Sequence, residues 1–196
     1  MTAFFFELGC VSSYLAGERI ERALGDVEWV PTVAAALGRD GQRSHLVRAH
    51  AERRAMELKL PLVWPDRFPA RAPRVLRAAA YAAEIGRGSR FALAANRLAF
   101  CGGFDLEDPE ILGEAAAAAG IPLERCLTAA RDRNRDGVLH ATSRGLRDQG
   151  VAGLPAIRVG RRWFEGEGGV AGAIALLRAE VPHRGLSAPP TQALPT

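Results

Sequence analysis

Cys10 and Ser13 lie at the junction between an apolar segment and an amphipathic one, in the pattern C-x-x-S. If the second segment is a helix that begins at Ser12 or Ser13, its unpaired N–H groups and positive dipole end face the sulfur. Both effects stabilise a thiolate. We therefore expect Cys10 to be an active-site thiol with a lowered pKa. The alternative is that Cys10 is a small hydrophobic residue that fills a gap in the core.

The hydroxyl of Ser13 limits the redox chemistry open to Cys10. It can donate a hydrogen bond to the sulfur, but it cannot resolve a mixed disulfide as a second cysteine would. Cys10 would therefore work by monothiol exchange, with an external thiol resolving the mixed disulfide. Cys101 and Cys126 fall among apolar residues of predicted helices, where a thiol mostly packs. Three widely spaced cysteines indicate neither a disulfide framework nor a zinc site.

The composition excludes several classes of function. The chain has 196 residues, of which 48% are hydrophobic and 24% charged, as in ordinary globular domains. It lacks the roughly 20 consecutive apolar residues of a membrane helix, and its first residues do not resemble a signal peptide. We expect a cytoplasmic protein without a membrane partner. The formal charge of +4 comes from arginines dispersed among acidic residues, without the basic stripe of a nucleic-acid-binding protein. The four histidines lack metal-ligand spacing, so we expect no metal.

The elements on either side of Cys10 must hold it in place. The apolar run 3–9 predicts a buried strand, and the helical periodicity that follows predicts a helix ending near Gly25. On this helix Glu18 and Arg22 form an i,i+4 pair. The alternating run 26–33 predicts a second strand. An opening β-α-β unit implies two parallel strands with a right-handed crossover.

The rest of the chain predicts a helical block followed by a return to mixed structure. The middle has amphipathic and alanine-rich segments without a convincing strand. After it we expect a helix over 136–150, a hairpin around Gly160 and a last helix over 169–181. This order is that of an α/β thioredoxin-like fold with an all-helical insertion. The predicted domains are a thioredoxin-like core, a helical insertion and a disordered tail: 1–43 with 135–180, 44–134, and 181–196.

Pro155 is a second feature that bears on the thiol. It follows Gly-Leu and opens an alternating apolar segment, which suits a cis Leu154–Pro155 bond. Cis bonds are only about 5–6% of X–Pro bonds in folded proteins, so a trans proline that opens an edge strand is the alternative. Trp64 lies in a proline-rich loop. It is a candidate for the wall of a substrate pocket over the thiol, or else a core aromatic residue.

Four segments together resemble the DsbA family of thioredoxin-fold proteins, and most of all its branch of 2-hydroxychromene-2-carboxylate isomerases and kappa-class glutathione transferases. The resemblance extends to about Arg178 and rests on the order and spacing of the segments. It implies glutathione or another low-molecular-weight thiol as cofactor, and a homodimer. The segments are FFFELGCVSSYLAGERI, LPLVWPDRFPARAPRVLRAA, LAFCGGFDLEDPEILGEAAAAAGI and GVAGLPAIRVGRRWFEG.

The resemblance also implies roles for residues near the thiol. In the isomerase branch the helix start resembles S-P-x-S, and its first serine stabilises the thiolate of glutathione. In this chain the first serine is replaced by Cys10 and the proline by Val11. Redox members of the family also have a cysteine at the first position, where it is the nucleophile. Pro155 corresponds to the proline that faces the nucleophile. The backbone of the residue before it, Leu154, pairs with the cysteinyl part of glutathione or of a peptide.

The start of the last helix departs from the family pattern. The glutathione-using branch has a turn that resembles G-S-D-R, whereas this chain has Gly166, Glu167 and Gly168 within EGEGG. The resemblance makes Gly166 and Glu167 candidates for cofactor binding, with Glu167 meeting the γ-glutamyl ammonium of glutathione. A carboxylate that is simply favourable at a helix N-terminus is the other interpretation.

These observations predict a DsbA-like thiol–disulfide oxidoreductase with a single active-site thiolate, Cys10. One alternative is a glutathione-dependent isomerase or transferase of the 2-hydroxychromene-2-carboxylate isomerase type, in which Ser12 or Ser13 supplies the hydroxyl. A second alternative is a non-catalytic thioredoxin-fold binding protein. The altered turn at Glu167 favours it, and the presence of Cys10 and Pro155 opposes it.

Overall fold

The computed structural model describes residues 1–24, 27–37, 44–68 and 72–180. The predicted helix stop at Gly25 and the predicted disordered tail lie outside these ranges. No helix in the described segments is long and apolar enough to cross a membrane. The elements are β1 Thr2–Phe6, α1 Val11–Ala23, β2 Glu28–Pro31, a 3₁₀ helix Ala34–Leu37, α2 Ser44–Leu58, α3 Pro73–Glu84, α4 Gly88–Phe100, α5 Pro109–Ala118, α6 Leu123–Arg131, α7 Arg135–Asp148, β3 Ala156–Val159, β4 Arg162–Glu165 and α8 Gly166–Glu180.

The four strands form one mixed sheet in the order β2-β1-β3-β4. β1 is parallel to β2 and antiparallel to β3, and β3 is antiparallel to β4. At its centre Phe4 is opposite Trp29 on one side and Ile157 on the other. The parallel opening pair and the later hairpin are confirmed, and with the helical insertion they make a thioredoxin-like fold.

The phenylalanines of β1 divide between the two faces of the sheet, because side chains alternate along a strand. Phe4 and Phe6 face the larger core, where the Phe4 ring meets Trp29 edge-on at 4.8 Å between centroids. Phe5 faces the smaller core on the other side, 5.3 Å from the Trp163 ring. A fully buried phenylalanine contributes about 1.5–3 kcal/mol to folding. This strand therefore anchors the segment that leads into Cys10.

Helix α1 begins one residue after Cys10, slightly earlier than predicted. Gly9 has a φ of 81°, the left-handed conformation that glycine tolerates best, and turns the chain from β1 into the helix. Cys10 occupies the N-cap position with extended backbone angles. Further along, a Cβ on Gly17 would lie 3.2 Å from the ring of Trp29, so a glycine there lets α1 approach β2 closely.

The buried carboxylate of Glu18 joins α1 to α4 of the insertion. Its oxygens accept hydrogen bonds from Nε of Arg97 at 2.6 Å and Nη2 at 3.0 Å, and its side chain is only 5% exposed. Arg22, the partner expected from i,i+4 spacing, is 3.9 Å away. The dominant ion pair therefore links the core to the insertion, whereas the local pair is secondary.

Candidate functional site

The thiol of Cys10 lies at the N-terminus of α1, in a residue that is partly exposed. Burial is the main influence on this thiol, and it raises the pKa above the ordinary value. The N–H and hydroxyl of Ser13 and the N–H of Ser12 act in the opposite direction, while the Glu7 carboxylate adds to the rise. The predicted lowering of the pKa of Cys10 is therefore wrong. Desolvation of the sulfur outweighs the helix N-terminus.

Ser13 is fully buried and connects β1 to α1. Its Oγ accepts a hydrogen bond from the N–H of Glu7 at 3.2 Å. The Glu7 carboxylate in turn accepts one from the N–H of Ala34 at 2.9 Å. Because Ser13 uses its oxygen as an acceptor for Glu7, its own proton remains available to the Cys10 sulfur. Ser13 is thus both a structural link and a donor beside the thiol.

The Leu154–Pro155 peptide bond is cis, and Pro155 is buried at the start of β3. The carbonyl oxygen of Pro155 accepts a hydrogen bond from the N–H of Gly166 at 2.7 Å. Gly166 has a φ of 71°, which brings the chain from β4 directly into α8. Helix α8 therefore begins at Gly166, three residues earlier than predicted.

Glu165 fixes the loop that precedes Pro155, a role the sequence analysis did not identify. One of its carboxylate oxygens accepts hydrogen bonds from the N–H groups of Ala152, at 2.9 Å, and Gly153, at 3.0 Å. This arrangement holds the backbone before Leu154 against the end of β4. A carboxylate twelve residues beyond a loop has no local signal that would reveal such a contact.

An open cleft of about 720 Å³ lies between α1, the 3₁₀ helix, α2, the loop before β3 and the start of α8. It brings together four predicted site residues, Ser12, Leu154, Gly166 and Glu167. Three others do not line it but are near lining residues in the chain: Cys10, Ser13 and Pro155. The full lining is Ser12, Leu15, Ala34, Leu37, Val47, His50, Ala51, Arg54, Ala152, Gly153, Leu154, Glu165, Gly166, Glu167 and Gly168.

Glu167, in the first turn of α8, already has two strong partners. One carboxylate oxygen accepts from Nη1 of Arg19 and, at 3.3 Å, from Nη2 of Arg54. The other accepts from Nε of Arg54 at 2.7 Å. The sequence analysis missed both arginines because they lie on α1 and α2, more than a hundred positions away in the chain. We call Arg19, Arg54 and Glu167 the ion-pair cluster.

Trp64 belongs to an aromatic cluster and does not line the cleft. Its ring lies 4.6 Å from Phe68 and 6.3 Å from Phe100, centroid to centroid. Its indole N–H donates to Glu52 at 2.8 Å, and the guanidinium of Arg48 lies 5.0 Å from its ring. These contacts favour the packing interpretation: Trp64 fastens α2 to the loop before α3.

The thiols of Cys101 and Cys126 pack against other residues of the helical insertion and of α1. The Tyr14 hydroxyl lies 3.3 Å from the sulfur of Cys101 and donates to the carbonyl oxygen of Pro61 at 2.7 Å. Cys126 is buried, which raises its pKa to about 11. In the described ranges, no three His, Cys, Asp or Glu residues are grouped so that they could hold a metal ion.

Solved structures share this fold at low sequence identity. A 2-hydroxychromene-2-carboxylate isomerase is 13% identical, with 91% of this chain and 94% of that chain covered and a TM-score of 0.77. A probable DsbA oxidoreductase from Streptomyces coelicolor is 20% identical, with 98% and 93% covered and a TM-score of 0.72. The cytosolic disulfide reductase DsbM from Pseudomonas aeruginosa, with GSH, is 16% identical, with 90% and 98% covered and a TM-score of 0.62.

A comparison with curated protein sequences finds no match. The family model of the DSBA-like thioredoxin domain matches residues 2–176, which include all four strands, the insertion and most of α8. The chain therefore belongs to the DsbA family of thioredoxin-fold proteins.

Proposed function

We propose that this chain is a thiol–disulfide oxidoreductase that uses Cys10 as its only exchanging thiol. The observation that carries the proposal is the place of Cys10. It occupies the N-cap of α1, with the N–H groups of Ser12 and Ser13 and the Ser13 hydroxyl acting on its sulfur. These donors stabilise negative charge on sulfur, which both the attacking thiolate and the leaving thiolate carry.

The exchange runs in two balanced steps. The deprotonated Cys10 sulfur attacks a disulfide R–S–S–R′, forming Cys10–S–S–R and releasing R′S⁻. A second small thiolate, R″S⁻, then attacks the R sulfur, restoring the Cys10 thiolate and releasing R–S–S–R″. The net result of the two steps is that R–S–S–R′ and R″S⁻ become R–S–S–R″ and R′S⁻. A further external thiolate that attacks the R″ sulfur of R–S–S–R″ releases RS⁻ and R″–S–S–R″, so complete two-electron reduction of the substrate disulfide consumes two external thiols. Ser13 takes no covalent part, so the external thiol is an obligatory reactant.

The small thiol of the proposal is glutathione or a thiol of similar size. The cleft beside α1 is large enough for such a ligand, and the backbone of Leu154 offers hydrogen-bonding groups at its wall. DsbM, a cytosolic disulfide reductase of similar fold, has a structure with GSH. By analogy with that protein, we propose a cytoplasmic location.

The test is formation and resolution of a mixed disulfide on Cys10. Incubation with oxidised glutathione should add one glutathionyl group to Cys10, as read by peptide mass spectrometry, and reduced glutathione should remove it. Cys10→Ser should abolish the turnover of a small disulfide. Cys101→Ser is the matched control, because Cys101 is also a partly exposed free cysteine, and it should keep the turnover. Exchange that persists in Cys10→Ser would refute the proposal.

The raised pKa of Cys10 favours one other candidate function. A thiol that stays neutral near pH 7 can donate a hydrogen bond to the thiolate of a bound cofactor, as a serine hydroxyl would. Such a site would serve a glutathione-dependent isomerase acting on a substrate such as 2-hydroxychromene-2-carboxylate. Cys10→Ser separates the two functions. It leaves isomerisation intact if the group is a donor, and it abolishes disulfide exchange if the group is a nucleophile.

A further inference from the structure

The cleft next to α1 has one charged wall, formed by the ion-pair cluster at the start of α8. Arg54 and Glu167 both line the cleft, whereas Arg19 supports Glu167 from α1. A ligand that fills the cleft therefore meets Arg54 and Glu167 as well as the segment around Ser12 and Leu154. The charge of this wall decides which end group the ligand can carry.

Glu167 has little capacity left for a ligand. Its side chain is only 9% exposed, and both of its carboxylate oxygens accept hydrogen bonds from the guanidinium groups of Arg19 and Arg54. Nη1 of Arg19 also donates to the backbone oxygen of Glu167 at 3.0 Å. An ammonium group approaching this carboxylate would meet two guanidinium groups at close range and would be repelled.

Within the ion-pair cluster, the charges favour an anion. Two guanidinium groups oppose the single carboxylate of Glu167, and the N-terminus of the 15-residue helix α8 adds a partial positive charge. Glu57 pairs with Arg54 from outside the cleft, but its side chain is 53% exposed and its charge is screened by water. Glu165 also lines the cleft, where its carboxylate accepts from the amides of Ala152 and Gly153.

We propose that the cleft recognises its small thiol through a carboxylate that binds Arg54, and that Glu167 positions Arg54 without binding an ammonium group of the ligand. This proposal rests on the function proposed above. Arg54 is 27% exposed and has five N–H groups, three of which donate to Glu57 and Glu167. A charge-assisted bond to a carboxylate changes affinity by about 10- to 150-fold, which corresponds to about 1.5–3 kcal/mol.

Three tripeptide thiols test the proposal by calorimetry on the full chain. They are glutathione, glutaryl-Cys-Gly, which lacks only the ammonium group, and glutathione with both carboxylates converted to carboxamides. We expect glutaryl-Cys-Gly to bind within about threefold of glutathione, and the diamide to bind at least about tenfold more weakly. Arg54→Gln should remove most of this difference. Arg53→Gln is the control, because Arg53 is an exposed neighbour on α2 outside the cleft, and it should keep the difference.

The outcomes separate this proposal from the function on which it rests. A diamide that binds as tightly as glutathione overturns recognition through a carboxylate. A glutaryl thiol that binds about tenfold more weakly than glutathione overturns the claim that Glu167 binds no ammonium group. Neither result bears on the proposed function. Failure of all three thiols to bind, together with failure of oxidised glutathione to form a mixed disulfide with Cys10, overturns the proposed function as well. If Arg54→Gln does not fold, Arg54→Lys keeps the charge and should keep the preference. Loss of the preference in a folded Arg54→Lys protein, with binding of glutathione unchanged, contradicts the proposal.

Discussion

Nε of Arg54 donates a hydrogen bond to the Glu167 carboxylate at 2.7 Å, and this contact ties the first helix of the insertion to the first turn of the last helix. The bond spans 113 positions of the chain. It joins the two sides of the cleft, so the shape of the cleft and the stability of the fold depend on the same ion pair.

Removing the charge of Glu167 should destabilise the protein. In Glu167→Gln, two partly buried guanidinium groups lose their common counter-charge, and we expect the free energy of unfolding to fall by about 1–3 kcal/mol. Urea denaturation followed by circular dichroism measures the change. Glu57→Gln removes a more exposed partner of the same arginine, and it should cost less than about 1 kcal/mol. Equal losses in the two variants would contradict the buried ion-pair cluster.

The reactivity of Cys10 should increase with pH into the alkaline range. Burial raises the pKa of this thiol, so the thiolate fraction grows only above the ordinary cysteine value of about 8.5. Alkylation by iodoacetamide, followed by peptide mass spectrometry from pH 6 to about 10.5, should show this profile. A half-maximal rate below about pH 7.5 would contradict it.

The same shift has a consequence for stability. Since the pKa of Cys10 is raised in the folded state, the unfolded chain releases its proton first as the pH increases, and the folded state loses stability. The loss begins near pH 8.5, about the pKa of an unfolded cysteine, and continues up to the folded pKa. The midpoint temperature of thermal unfolding of the wild type should therefore fall relative to that of Cys10→Ser only in this alkaline window. A constant difference between the two proteins from pH 6 to about 10 would refute the expectation.

Glu18 and Arg97 should show direct energetic coupling. A double-mutant cycle with Glu18→Gln and Arg97→Gln should give an interaction energy of about 1–2 kcal/mol, because the carboxylate is 5% exposed and the bond is bidentate. Arg22 is 64% exposed and 3.9 Å from the same carboxylate, so a cycle with Arg22→Gln should give less than about 0.5 kcal/mol. The reverse ranking would mean that the pair within α1 dominates.

Glu165 should control the order of the loop before Pro155. Glu165→Ala removes the acceptor for the amides of Ala152 and Gly153, and hydrogen exchange at these two amides should become faster by about tenfold or more. Glu165→Gln keeps a side-chain oxygen and should retain part of the protection. Binding of a small thiol should weaken in Glu165→Ala, because Leu154 follows this loop directly. Unchanged exchange in the alanine variant would show that other contacts hold the loop.

Two neighbouring glycines at the start of α8 provide a matched packing test. A Cβ on Gly169 would lie 3.0 Å from the backbone carbon of Phe164, and we expect Gly169→Ala to cost about 1–3 kcal/mol. A Cβ on Gly168 would have open space around it, so Gly168→Ala should be neutral or stabilising by up to about 1 kcal/mol. Chemical denaturation compares the two variants, and similar effects would contradict the close approach of α8 to β4.

Local patterns were enough to predict the framework of this protein but not the chemistry of its cleft. Alternation and apolar runs predicted β1 and the hairpin around Gly160. The pKa of Cys10 depends on how much of the sulfur is buried. The sequence around a helix start indicates only the opposing effect of the amides.

The partners of Glu167 could not be predicted for a different reason. Its position at a helix N-terminus was visible in the sequence, but α1 and α2 contribute the guanidinium groups that surround it. Arginines are dispersed along the chain, and only the packed fold shows that Arg19 and Arg54 are the two that contact Glu167. The sequence therefore indicated that Glu167 is a candidate ligand-binding carboxylate, but it did not indicate that two arginines already bind this carboxylate.

The pairing of Phe4 with Ile157 at the centre of the sheet has a consequence for synthesis on the ribosome. β1 emerges before the helical insertion, whereas β3 emerges only after it. Until then, the edge of β1 that will bind β3 lacks its native partner, and an unpaired apolar strand edge invites association with other chains. We therefore expect association of the nascent chain with other chains to be most favourable while the insertion is being translated, and to become unfavourable when the hairpin completes the sheet.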